Sequence, residues 1–178
     1  MNLRDKLGGR LRLCDVKALC EACRADDCLK SELFAMTSEA DNRIAYNALW
    51  VFSHFDSTDR RWLADKRDRL IDGLLASGHV GRRRLALTLL DALPFAAQDV
   101  RTDYLDFCFS KINSGEPYAI RALCMKQAFA HCRLFPELAA ELEAELELLA
   151  TGEMSPGLRS ARRNVLRGLS RLNRRPGE

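Results

Sequence analysis

Apolar residues recur at intervals of three and four through most of the chain, and no segment keeps up the every-second-residue alternation of a half-buried strand. The pattern is plainest near the C-terminus. There Leu158, Ala161, Val165, Leu169 and Leu172 fall within about 80° of one another on a wheel that turns about 100° per residue. Arg159, Arg163, Arg167, Arg171 and Arg174 lie on the opposite side, so the segment reads as a helix with one buried stripe and one face in water or against an acidic partner. The same periodicity predicts helices over about 4–12, 15–24, 27–36, 41–54, 59–76, 79–93, 98–113, 116–132, 136–150 and 156–173. Local chemistry marks their ends. Asp41 is placed to cap the helix through Trp50, and Thr58 or Asp59 the helix holding Trp62 and Leu70. Pro117 and Pro156 sit where a first helical turn has an unpaired N–H in any case, and Pro94 and Pro136 fall at junctions.

A short polar break returns at Ser38, Ser77-Gly78, Ser114-Gly115 and Thr151-Gly152, a period of about 37 to 39 residues. Each break follows one amphipathic stretch and precedes another, so each unit is a helical hairpin. Arg43, Arg82 and Arg121 recur at an equal spacing in the second helices, and the next step lands on Ser160, between Arg159 and Arg162. Val51-Phe52-Ser53-His54 and Ala128-Phe129-Ala130-His131 end their helices two periods apart. One hairpin cannot bury its apolar face alone, whereas stacked hairpins share a continuous core. The expected fold is all-α, a short right-handed α-solenoid of about four helical hairpins. It forms one domain over residues 1–178, with capping helices over 1–26, repeats over 27–173 and a tail over 174–178.

Asp41-Asn42-Arg43 leads into Ala45, Ala48 and Leu49, and Glu116-Pro117-Tyr118-Ala119-Ile120-Arg121-Ala122 is followed by Phe135-Pro136-Glu137-Leu138. This pattern resembles HEAT-type helical repeats over about residues 27–173. The resemblance implies an armadillo-type binding scaffold whose second helices line a concave groove. One HEAT-like group, the alkylpurine DNA glycosylases, binds DNA in such a groove and uses an aspartate with flanking tryptophans. Those positions have no match here, so no catalytic residue is carried over.

Composition then narrows the class. A chain of 178 residues, 47% hydrophobic and 30% charged, is long enough for an ordinary buried core. Its net charge of +3 conceals a segregation: seven arginines face one acid from Met154 onward, while Leu134 to Glu153 holds six glutamates and no base. The rest of the chain is therefore net acidic, unlike a nucleic-acid binder with a uniformly basic face. Met1 to Leu13 lacks the apolar core of a secretory signal. The densest apolar stretch, Leu85 to Ala97, is broken by Asp91 and Pro94 and falls short of the roughly 20 residues of a membrane span. Seven cysteines in a chain of this size fit reduced thiols and a cytoplasmic location.

Cys14, Cys20, Cys23 and Cys28 lie close enough in sequence to suggest a zinc or iron–sulfur site, but their spacing fits neither pattern well. Cys20 and Cys23 share a helix side with Val16 and Leu19, which points to core thiols, as do the apolar surroundings of Cys108, Cys124 and Cys132. His54 and His131 are expected at helix C-termini, where imidazolium meets the negative end of the dipole. His79 is expected at the surface, and Trp50 and Trp62 as core anchors. Arginine carries the binding expectation. Arg43, Arg82, Arg84, Arg121, Arg159 and Arg163 are the candidate contacts, because guanidinium groups recognise carboxylate or phosphate bidentately. Their alternative role is to bond carbonyls or acids of neighbouring hairpins. These features together predict a non-enzymatic, cofactor-free module that binds a protein or peptide, acidic in character. A nucleic-acid-binding protein of the glycosylase type is the alternative, and a structural oligomerisation unit a third reading.

Overall fold

A computed structural model describes residues 2–174; Met1 and residues 175–178, and with them Arg175 and most of the expected tail, lie outside the described residues. Every regular element among the described residues is helical. The chain divides into two compact units, Met1–Leu93 and Pro94–Glu178.

The first unit holds α1 (Leu3–Gly8), α2 (Leu13–Ala25), α3 (Asp27–Ala35), α4 (Asn42–Ser53), α5 (Ser57–Arg60), α6 (Arg67–Ala76) and α7 (Val80–Ala92). A 3-10 turn at Met36–Ser38 joins α3 to α4, and the Ser77-Gly78 break joins α6 to α7. The two second helices, α4 and α7, pack on each other, while α1 and α2 lie against α4. Asp41 caps α4 as its sequence position predicts, accepting from the N–H groups of Arg43 and Ile44. Leu33, Phe34, Phe52, Leu63, Ile71, Leu87 and Leu90 fill the interior. Each such side chain contributes about 1.5–3 kcal/mol by leaving water. Asn47 fastens the end of α1 to α4, its Nδ2 donating to the carbonyls of Leu7 at 2.7 Å and Gly9 at 3.2 Å.

The second unit repeats the plan with α8 (Thr102–Ile112), α9 (Tyr118–Cys132), α10 (Ala139–Ala150) and α11 (Pro156–Asn173). The predicted breaks at Ser114-Gly115 and Thr151-Gly152 turn the chain within each hairpin, and α9 packs on α11. Leu158, Ala161, Val165 and Leu169 of α11 join Ile112, Met125, Leu142 and Leu146 in one core. Second helices meet closely in both units. A Cβ at Gly81 of α7 would lie 2.8 Å from the Tyr46 ring of α4, and one at Gly168 of α11 would overlap the Phe129 ring of α9.

Several expected boundaries differ; α9 starts at Tyr118 with Pro117 as its cap, and α10 starts at Ala139 after a 3-10 turn over Pro136–Leu138. The helix expected over 59–76 is capped by Asp56, which accepts from Thr58 N at 2.9 Å and Asp59 N at 2.8 Å, rather than by Thr58 or Asp59. It winds as a 3-10 helix over Arg61–Lys66 before α6 resumes, with Lys66 leaving helical geometry at φ −111° and ψ 8°. The tighter turn accompanies burial of Leu63 and stacking of Trp62 on Phe52 at 6.1 Å. The helix expected from 98 begins at Thr102, because Asp99 accepts from Ala96 N and closes a separate turn before an extended Val100 and Arg101. The helix expected over 4–12 ends at Gly8.

Candidate functional site

The repeating arginines occupy the opening turns of second helices, where a cation is unfavourable to its own helix dipole. Most reach backward instead. Arg121 Nε donates to Ile112 O at 2.8 Å, Arg83 Nε to Ser77 O at 2.6 Å and Arg162 Nε to Leu146 O at 2.7 Å. Ile112 and Ser77 close the first helices of their hairpins, where carbonyls lack an intrahelical partner and the dipole is negative, and Leu146 lies a turn before the end of α10. Arg82 spans further, from Nη1 to Asn42 Oδ1 at 3.0 Å and from Nη2 to Thr37 O at 3.4 Å. Arg43 Nη1 reaches Gly8 O at 3.5 Å, and Arg159 Nη2 reaches Met154 O at 3.4 Å. The Arg82 bonds reach the neighbouring hairpin, whereas those of Arg83, Arg121 and Arg162 stay within their own.

Exposure sorts the six candidates. Arg43, Arg84, Arg159 and Arg163 are exposed, while Arg82 and Arg121 are half-buried. Arg121 also lies 5.7 Å from the Tyr118 ring centroid. On α11, Arg163, Arg167, Arg171 and Arg174 join Arg159 on one exposed face, and none of these five has a carboxylate partner among the described residues. Arg43, Arg82 and Arg84 belong to the first unit, and Arg121, Arg159 and Arg163 to the second.

The other candidates take structural positions. Cys20 and Cys23 are buried on α2, whereas Cys14 and Cys28 are exposed. Burial pushes the Cys20 thiol up to about 11, partly offset by Arg24, and does the same for Cys23. Among the described residues no three His, Cys, Asp or Glu side chains come together to hold a metal ion. Cys108, Cys124 and Cys132 are buried in the second unit. His54 and His131 repeat one geometry, Nδ1–H donating to the carbonyl four residues earlier, Trp50 O at 3.0 Å and Gln127 O at 2.7 Å. His79 is exposed and caps α7, its Nδ1 accepting from Arg82 N. Trp62 is half-buried, stacked on Phe52 with Lys66 Nζ 3.7 Å from its ring centroid; Trp50 is half-buried beside His54.

One arrangement escapes the 39-residue spacing. Arg69, on the first helix α6, lines a cleft of about 400 Å³ together with Ser38, Glu39, Asp72, Gly73 and Arg82. The repeat pattern marks only second-helix arginines, so Arg69 carries no periodic signal. The one available hint is Gly73, a glycine inside a helix one turn beyond Arg69.

Among the described residues no helix is long and apolar enough to cross a membrane. Comparison with curated proteins and with solved structures finds no match. The family comparison is positive and nearly spans the chain: residues 3–169 match the HEAT repeat domain, in agreement with the four hairpins and the resemblance of their sequences, and the chain belongs to that family.

Proposed function

We propose that this HEAT repeat domain is a non-enzymatic binding module that takes an acidic protein segment on its arginine-bearing second helices. HEAT repeat domains serve in general as protein-interaction scaffolds, which gives the class of partner. The observation that carries the acidic character is the exposed face of α11, where five arginines recur every three or four residues without a carboxylate to neutralise them. At 1.5 Å per residue the row is about 22 Å long, enough to follow several acidic side chains of one bound segment. A face made only to keep an end repeat in water would mix charge signs, and on this one every charged residue is arginine. Arg43 and Arg84 are exposed counterparts in the first unit, while Arg121 serves as a framework residue holding its hairpin turn.

Fluorescence anisotropy with a labelled glutamate-rich peptide, beside labelled duplex and single-stranded oligonucleotides, tests this reading. The peptide is expected to bind, and R163E/R167E to weaken it at least tenfold without lowering the melting temperature, since both side chains are exposed. Tighter binding to an oligonucleotide, with affinity falling steeply and linearly in log salt, would replace the acidic segment by a phosphate backbone. Equal peptide binding by wild type and variant would remove α11 as the contact surface.

A further inference from the structure

We propose that the cleft between residues 38–40, α6 and the start of α7 is a carboxylate-recognition site, with Arg69 and Arg82 as its donors. It lies within the first unit and does not depend on the α11 face. Two guanidinium groups line this one cleft of about 400 Å³, and neither has a carboxylate partner among the described residues. Arg69 rests over the Phe34 ring at 4.8 Å, which orients its plane and leaves its N–H groups for other acceptors. Arg82 is held by Asn42 and Thr37, so its position is fixed before any ligand arrives, and its buried Nε–H meets no acceptor. Burial also lowers the Arg82 pKa by drawing the cation out of water.

The floor of the cleft supplies an independent observation. Gly73 stands inside α6, where glycine costs roughly 0.5–1 kcal/mol relative to alanine. Apart from its chain neighbours and the backbone of its own helix, no atom lies within 4 Å of where its Cβ would be, and its backbone needs no left-handed φ. Nothing in the packing of the first unit calls for a glycine there. Its effect is to keep the space above α6 open between the two guanidinium groups, which is what an incoming group needs.

The remaining lining selects the kind of anion. Glu39 is taken by Arg4 at 3.1 Å, and Asp72 is engaged as well, yet both keep negative charge beside the cleft. That charge disfavours a dianionic phosphate more than a single carboxylate, whose planar oxygens match a guanidinium fork. The carboxylate can belong to an Asp or Glu side chain of a protein segment or to a small free acid.

Titrations followed on the arginine Nε–Hε NMR signals of the full chain separate these sources and test the site. The probes are acetate, inorganic phosphate and the blocked peptide acetyl-Gly-Glu-Gly-amide. Saturable shifts of the Arg69 and Arg82 signals are expected with acetate, with the peptide, or with both. The tighter of the two identifies the source. Gly73→Leu fills the cleft with a better helix former, so it should abolish the shifts while the melting temperature holds or rises. Arg69→Gln should weaken binding about tenfold, as expected for loss of one charge-assisted contact. The proposal fails if neither carboxylate probe saturates, if Gly73→Leu binds as wild type does, or if phosphate binds more tightly than either carboxylate.

Discussion

Gly168 and Arg121 show how single side chains hold the second unit together. The Phe129 ring occupies the space a Cβ on Gly168 would need, so α9 and α11 touch through a glycine that no other residue can replace without a shift. Gly168→Ala is expected to lose about 1–3 kcal/mol in urea unfolding, the usual penalty of overpacking, and a smaller residue at 129 should recover part of it. Arg121 acts through its donor rather than its bulk. Arg121→Met leaves the Ile112 carbonyl without the guanidinium and should cost about 1–2 kcal/mol, whereas Arg163→Gln, on the exposed face of α11, should stay within about 0.5 kcal/mol of wild type. A loss from Arg163→Gln as large as that from Arg121→Met would contradict the division into framework and surface arginines. The sequence offers both as candidates, Arg121 through the repeat spacing and Arg163 through its place on one helix face. What distinguishes them is the carbonyl within reach, and that depends on how tightly the hairpin turns.

The segment from α5 to α6 shows what capping and winding decide at the level of an element. Asp56 accepts from the N–H groups of Asp59 and Thr58, and these bonds, the former foremost, hold its carboxyl below the ordinary value of 3.8 despite some desolvation; Arg24 and Arg60 add to the effect. Its folded pKa is thus lower than its unfolded one. The stability it contributes is fully present above the unfolded value and is lost as pH falls through the folded value. Chemical-shift titration should place the Asp56 midpoint under 3.8, and Asp56→Asn, which keeps the cap acceptor, should flatten the acid limb of the stability profile below pH 3.8. A midpoint at or above that value would show that the cap does not form. The helix here was legible in the apolar periodicity, but its start was not. Asp56, Thr58 and Asp59 are all good caps, so the sequence alone does not choose among them, and the structure gives the place to Asp56.

Across the whole molecule the same division applies to the thiols of both units. Cys14 and Cys28 are exposed; Cys20, Cys23, Cys108, Cys124 and Cys132 are buried, and burial raises the Cys132 thiol to about 11 as it does Cys20 and Cys23. Iodoacetamide at pH 8 should therefore label Cys14 and Cys28 in the native protein and the other five only on unfolding, as peptide mass mapping would show. Prompt labelling of Cys20 or Cys132 would place them outside the core. The helical hairpins, their polar breaks, the two-faced character of α11 and the membership in a repeat family could all be read from the order of residues. Each depends on neighbours a few positions apart, and the spacing of apolar side chains and caps is itself the cause. The fate of the arginines could not be read that way. A guanidinium ends a long, flexible side chain, so whether it bonds a carbonyl, as Arg121 and Arg162 do, or stays in water like Arg163, rests on how the two helices of its hairpin close on each other. The cleft holding Arg69 and Arg82 arises in the same way, from three segments that only folding brings side by side.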